Sequence, residues 1–227
     1  MATDTVEKTI KSMQTEIKEC KHEIERLHAV NEIQNLMSTY EYLHTANLHK
    51  EVAKRFAKKT PGVRVYFGEV GYWEGIDAPT KAWSILERMG DTTGMMAIHP
   101  TTTPIIVVSG DCKTAKGVWI GTGFVASARK GKANCGWEWD KYGIDFVKED
   151  GVWKFWHFHI YRLIHGVDWG PTWAEHFAKP EGVFPVPDDI PVSGAAVDDN
   201  PYTPTTKQLL LPVPPAPYET WADTFMY

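Results

Sequence analysis

Two neighbouring stretches of this chain concentrate groups that move protons. One is Trp137-Glu138-Trp139-Asp140-Lys141-Tyr142, the other Val152-Trp153-Lys154-Phe155-Trp156-His157-Phe158-His159-Ile160-Tyr161-Arg162. Imidazoles titrate near neutral pH, so a positioned histidine can take up and return a proton without a metal; a carboxylate can orient it and a tyrosine can donate. Both stretches alternate apolar and polar residues, the two-residue period of a β-strand, and Asp150-Gly151 between them is a hairpin-turn dipeptide. Strict alternation puts Trp153, Phe155, His157, His159, Tyr161 and Leu163 on one face. A two-residue loop at Glu149-Asp150 sets Tyr142 beside His157, Asp140 beside His159 and Glu138 beside Tyr161; a turn at Asp150-Gly151 slides the register by two and leaves the same residues on the same face. On this reading Glu138, Asp140, Tyr142, His157, His159 and Tyr161 converge on the wall of a pocket. The same residues would also suit a barrel rim, where imidazoles and phenols bond carboxylates for structure alone.

Further candidates lie upstream. His44 and His99 are possible bases. Lys141 joins the tyrosines as a possible donor to a departing oxygen. Tyr40, Tyr42, Trp73 and Trp119 offer ring faces to a flat substrate, and Glu41, Glu138 and His157 offer polar contacts. Tyr40 and Tyr42 are two apart on a predicted helix and cannot share a face, so at most one reaches a pocket. His157-x-His159 on a strand, with His99 and Asp140, could instead bind a divalent metal. His22, His28, His49, His165 and His176 read as surface or packing residues.

The elements that must position these groups follow from periodicity. Residues 5 to 58 read as helix, with Ile10, Met13, Ile17, Cys20, Ile24, Leu27 and Val30 at three-four spacing. This first stretch is predicted either to pair with a partner subunit in coiled-coil fashion or to fold back on its own domain. The pattern then shifts to Ile33, Leu36, Met37, Tyr40, Leu43 and His44. A break near Ala46-Asn47 precedes a second piece, Leu48 to Ala57, which Thr60-Pro61-Gly62 ends. Strands are predicted at 63–67 and 71–74, a short helix at 79–89, and strands at 101–108, 116–126, 135–147 and 152–164. Helices first and an antiparallel sheet after indicate an α+β domain.

Eleven of the fifteen prolines fall between Pro171 and Pro217, which excludes sheet interior or long helix there. Trp169, Trp173, Phe177, Trp221, Phe225 and Tyr227 suggest an anchored tail that wraps the domain or a neighbour. The chain therefore divides into an N-terminal helical arm at 1–27, an α+β domain at 28–165 and a proline-rich extension at 166–227.

A net charge of −5 argues against nucleic acid, which demands concentrated basic surface. No run approaches a membrane span, and Met1 to Gln14 lacks the apolar core of a secretory leader. Three cysteines, an odd count without metal spacing, fit a reducing cytoplasm. Aromatic residues at 12% suit a pocket for an aromatic ligand.

Three patterns in order carry a resemblance: Glu32-Ile33-Gln34-Asn35-Leu36, His99-Pro100-Thr101-Thr102-Thr103-Pro104-Ile105-Ile106-Val107 leading to Gly110-Asp111, and Asp150-Gly151-Val152-Trp153-Lys154-Phe155. Over residues 28 to 165 the chain resembles the SnoaL-like branch of the nuclear transport factor 2-like superfamily. The resemblance implies a cone-shaped barrel, with a curved, mostly antiparallel sheet around the N-terminal helices and a deep pocket. Scytalone dehydratase, hexachlorocyclohexane dehydrochlorinase and polyketide cyclases are similar enzymes; by that likeness, chemistry here needs neither cofactor nor metal. The family's catalytic histidine falls on His99. Its helix aspartate falls near Thr45, where this chain has His44-Thr45, so Asp140, Glu138 or Glu41 would have to orient an imidazole. A pocket amide or arginine of the last strand falls near Tyr161. The arm, the segment Tyr40-Glu41-Tyr42-Leu43-His44-Thr45 and the aromatic content further resemble the lyases of lignin-derived diarylpropanes, which release formaldehyde and leave a stilbene.

The expectation is a cofactor-independent lyase acting by histidine proton transfer on an aromatic small molecule; the resemblance implies a lignin-derived diarylpropane diol that loses formaldehyde to give a stilbene. His99 and then His44 are the candidate bases, with Asp140, Tyr142, His159 and Tyr161 assisting. A homo-oligomer is expected. The alternatives are a dehydratase or isomerase on another aromatic or polyketide-like substrate, a metal-dependent enzyme using His157 and His159, and a non-catalytic binding module.

Overall fold

A computed structural model describes residues 2–67, 71–87, 91–129, 132–168 and 205–207. The first helix, α1 (Ala2–Thr45), is continuous from arm to domain. At 1.5 Å per residue it is about 66 Å long. Its C-terminal part buries Ala29, Ile33, Met37, Tyr40 and Leu43, a three-four stripe that forms one side of the core. Its N-terminal part does not fold back: Val6, Ile10, Met13, Ile17, Ile24 and Leu27 are exposed. The helix ends where Asn47 adopts a left-handed φ of 56°, a conformation asparagine tolerates. A short helix, α2 (His49–Ala53), follows.

Strands β1 (Arg64–Phe67) and β2 (Gly71–Glu74) form the expected hairpin, and α3 (Ala78–Glu87) packs Ala78, Ala82 and Trp83 into the core. Next come β3 (Met96–Ile98), which periodicity did not reveal, β4 (Thr101–Val108), β5 (Thr114–Arg129), β6 (Lys132–Glu149) and β7 (Val152–Asp168). Among the described residues the seven strands make one sheet in the order β2-β1-β7-β6-β5-β3, with β4 also paired to β5. Every pairing is antiparallel except β1 with β7. The sheet curves around α1 and α3 without closing: the α+β class that periodicity indicates, in the cone shape that the resemblance implies. No described helix is long and apolar enough to cross a membrane.

The β6–β7 hairpin turns at Asp150-Gly151, both with positive φ (51° and 79°), as a two-residue turn that matches strand twist requires. Beyond the turn the simple alternation fails. Phe146 pairs with Phe155 but Asp145 pairs with His157, so Trp156 is an extra residue on β7. Its indole N–H donates to the Pro61 carbonyl at 2.8 Å, which pins the bulge to the loop after α2. One inserted residue exchanges the two faces of the stretch that follows, His157 to Arg162, up to the next register shift of β7 at Leu163. Trp153, Phe155, Phe158 and Ile160 are buried, whereas His157 and His159 are only partly buried and Tyr161 is exposed. Leu163 lies outside the described side chains, and the proline-rich segment is outside the described residues apart from 205–207.

Candidate active site

On β6 the alternation holds, and it places Glu138, Asp140, Tyr142, Ile144 and Phe146 on the inner face, all buried. Across the cone, α1 presents Tyr40 and His44 from the same face, one turn apart. His99 follows β3, at the point where the chain crosses to β4. Gly123 on β5 makes this approach possible: a Cβ there would lie 2.0 Å from the Ile98 carbonyl oxygen and 2.5 Å from His99 Cδ2. Only a residue without a side chain allows β3 and the His99 ring to sit so close.

These groups meet in a cavity of about 320 Å³. Its apolar wall comes from Phe67, Trp83, Ile85, Leu86, Met95, Val125 and Ile160; its polar groups are Tyr40, His44, Asn47, His49, His99, Glu138, Asp140 and Tyr142. The size lies at the small end of ligand pockets, which run from about 300 to 1,000 Å³.

Within the cavity the imidazoles form a connected line. His99 Nε2 lies 3.1 Å from Glu138 Oε2, and both side chains are buried. A carboxylate that accepts from Nε2–H leaves Nδ1 as the basic nitrogen of a neutral ring. His44 stacks on His99 with ring centroids 5.3 Å apart and on Tyr40 at 5.7 Å. His44 Nδ1 also faces His49 Nε2 at 3.3 Å, a contact that needs a proton on one nitrogen of the two. Burial pushes the His49 imidazole below its usual range, partly opposed by the charge of Glu87.

Beside this line sits a cluster of buried acids. Burial raises the Glu41 carboxyl well above the usual range, and the negative charges of Asp140 and Glu138 push it further. The His99 backbone N–H and the Tyr142 hydroxyl lie near enough to offset part of that rise, but neither forms a well-shaped hydrogen bond to the carboxyl oxygens. Burial likewise raises the Tyr40 and Tyr142 hydroxyls, with Glu41 the largest charge acting on each. Both phenols are therefore neutral donors at neutral pH, set against an imidazole–carboxylate pair.

The structure brings together His44, His99, Glu138, Asp140, Tyr40 and Tyr142 from among the residues singled out by sequence, with Glu41 buried against them. It separates the others. His157, His159 and Tyr161 lie on the outer face because of the Trp156 bulge. There His157 Nδ1 meets Asp145 Oδ2 at 2.8 Å, and His159 stacks between Tyr66 and Tyr161. His157 and His159 thus lie across the sheet from His99 and Asp140, and these four cannot share a metal. Register sets Ile160 against Tyr142, Arg162 against Asp140 and His165 against Glu138, in place of the His157, His159 and Tyr161 pairings expected from strict alternation. Lys141 is exposed, since it alternates outward between Asp140 and Tyr142. Tyr42 is exposed on the far side of α1 from Tyr40. Trp119 is buried in the core, its indole donating to Gln34 Oε1 at 3.2 Å, and Trp73 packs edge-on against Phe67; neither lines the cavity.

His49 belongs to the site and escaped sequence analysis. Its own helix is a single turn, and it is buried only because α2 packs against α3, a contact no local pattern announces. Among the described residues, His22, Glu25 and Cys112 are close enough to share a metal ion, but they lie at the base of the arm and do not line the cavity.

Residues 25–159 match the model of the SnoaL-like domain, more than half of the chain. No curated protein sequence matches. Among solved structures, the chain is similar to a provisionally assigned scytalone dehydratase from Novosphingobium aromaticivorans, with 20% identity and a TM-score of 0.51 over 62% of this chain and 87% of that one. It is also similar to LinA, with 15% identity and a TM-score of 0.51 over 66% of this chain and 99% of that one. A provisionally assigned dehydratase of the NTF2-like family from Streptomyces avermitilis gives 9% identity and a TM-score of 0.52 over 61% and 99%. At these identities the likeness is one of fold. The chain belongs to the SnoaL-like family.

Proposed function

We propose that this SnoaL-like protein is a cofactor-independent lyase that works by histidine proton transfer on an aromatic small molecule. The observation that carries the reading is the buried His99–Glu138 pair in the wall of an aromatic-lined cavity, opposite neutral phenols. A base and a donor held in one dry chamber are what elimination from a hydroxylated substrate requires. Two of the similar structures are provisionally assigned as a scytalone dehydratase and a dehydratase, which supports eliminative chemistry as the class.

The narrower reading is a lignin-derived diarylpropane diol as substrate. Tyr142, with Tyr40 and Glu41 behind it, gives a proton to the benzylic hydroxyl, which leaves as water while the para-phenol loses its proton and the ring becomes a quinone methide. His99 then takes the proton of the terminal hydroxyl. The carbon–carbon bond to that carbinol breaks, formaldehyde leaves, and the electron pair forms the stilbene double bond and restores the phenolate, which is reprotonated. The balance is diol to stilbene, formaldehyde and water. Trp83, Phe67 and Tyr40 offer ring faces, and the apolar wall keeps water from adding to the quinone methide.

The test is incubation of the purified protein with both diastereomers of a diarylpropane diol, following stilbene absorbance and formaldehyde together. Equimolar release of the two supports the narrow reading. Loss of water without formaldehyde, from this or another aromatic alcohol, leaves the eliminative class and replaces the substrate. Binding of a panel of aromatic diols with no turnover of any would overturn the enzymatic reading in favour of a binding module.

A further inference from the structure

The N-terminal part of α1 carries an apolar seam with nothing of its own domain against it. Its residues fall on a strict alternation of fours and threes: Val6, Ile10, Met13, Ile17, Cys20, Ile24 and Leu27. The six apolar residues other than Cys20 are between 50% and 69% exposed, and Cys20 is exposed too. In heptad terms the a positions are Ile10, Ile17 and Ile24, and the d positions include Met13 and Leu27. β-Branched residues at a with unbranched-β residues at d select two parallel strands. The seam faces away from the domain at its base, where Ala29 and Ile33 are buried instead.

We propose that residues 6–27 form a parallel, in-register two-stranded coiled coil with a second copy of this chain. Charge chooses this occupant and this direction. Parallel pairing places Glu16 (position g) beside Lys21 (the following e) of the second copy, and Lys21 beside its Glu16. Glu23 meets His28 in the same way one heptad later. Antiparallel pairing would set Glu16 and Glu23 against the same two residues of the other copy, which repel. The next a position is Asn31, which is exposed and of the type that fixes register at a single a site. Three heptads are short for an isolated coil. Here the helix is already nucleated, because its continuation through Met37 and Tyr40 is packed in the core.

The pairing makes a sharp demand on Cys20. At a d position of a parallel, in-register pair it faces Cys20 of the second copy, whereas any antiparallel alignment centred on the seam puts it opposite another residue. Diamide takes two hydrogens from two thiols and becomes the hydrazine, leaving a disulfide. The full-length protein treated with diamide should give a covalent dimer on a non-reducing denaturing gel, and Cys20→Ser should give none. In sedimentation equilibrium, Glu16→Lys and Lys21→Glu should each weaken the dimer about tenfold, since symmetry places each change twice, and the double variant should recover most of it. A monomer at every concentration, a dimer that diamide does not link through Cys20, or charge reversals without effect on the dimer would each overturn the proposal.

Discussion

His99 Nε2 and Glu138 Oε2 stand 3.1 Å apart, the histidine at the end of β3 and the glutamate in mid-strand on β6, two strands away across β5. The contact joins residues 39 apart in sequence, and both side chains are buried. It holds one ring nitrogen and so directs the other. On the proposed reaction, His99→Ala lowers turnover by on the order of 10²–10⁴-fold, the usual worth of one positioned proton-transfer group. Glu138→Gln keeps the size of the side chain but can turn an amide N–H toward the ring in place of an acceptor, and should lower turnover with little change in KM. Steady-state kinetics check both; unchanged turnover in Glu138→Gln would remove the glutamate from the chemistry.

The outer-face groups supply the matching control. His157→Ala, His159→Ala and Tyr161→Phe are expected to leave turnover unaltered, because each side chain lies on the opposite surface of the sheet from the cavity. A large loss in any of them, in a variant with unchanged thermal midpoint, would mean that β7 has the other register in solution.

Gly123→Ala introduces a Cβ into space held by the Ile98 carbonyl and the His99 ring. Backbone cannot give way as a flexible side chain does, so β3 must shift. The expected result is a folded protein with His99 displaced, and turnover reduced about as far as in His99→Ala. Chemical shifts of the His99 ring, compared with those of His157 as an outer reference, would report whether the movement is local.

Glu41 gives a test by pH. Its folded-state pKa is raised well above 4.5 by burial and by Asp140 and Glu138, so the folded protein holds a proton that the unfolded chain gives up. Stability is therefore lost as pH rises above the unfolded value. Glu41→Gln, which imitates the protonated acid, should raise the urea midpoint relative to the parent more at pH 8 than at pH 4, where the carboxyl is protonated in the folded and largely in the unfolded chain. A midpoint lowered more at pH 8 than at pH 4 would show that the carboxylate is needed in its charged form.

Glu149 behaves in the opposite sense. Burial alone would raise its pKa, but the backbone N–H groups of Lys58, Lys59 and Thr60 donate to it at 3.0, 2.9 and 2.8 Å and bring it to about 2. Its contribution is complete above the unfolded value of 4.5 and disappears as pH falls toward 2. Glu149→Gln should cost about 2 kcal/mol at pH 7, in line with hydrogen bonds to a charged group, and little at pH 2.5. Urea unfolding at the two values measures the difference.

The parts of this site that could be read from sequence obey one strand's own period. Glu138, Asp140 and Tyr142 alternate inward on β6 without interruption, and Tyr40 and His44 share a helix face for the same local reason. What could not be read depends on partners far along the chain. The face of β7 after Trp156 is decided by the Pro61 carbonyl, almost a hundred residues earlier, and a two-residue period carries no sign of it. His49 is buried by α3, and β3 is too short for any period to show. Trp119 and Trp73 have the composition of a binding surface, yet they fill core volume that only the curvature of the sheet defines.

The Trp156 bulge makes β7 a ribbon with two tenants. Hydrophobic fillers occupy it from one side and a row of titratable rings from the other, and a single residue decides which group receives the interior lease. Deleting that residue would exchange the surroundings of His157 to Tyr161 without altering one of their identities. An alignment of this strand that slides by one therefore transfers roles to the wrong half of the molecule, however well its letters agree.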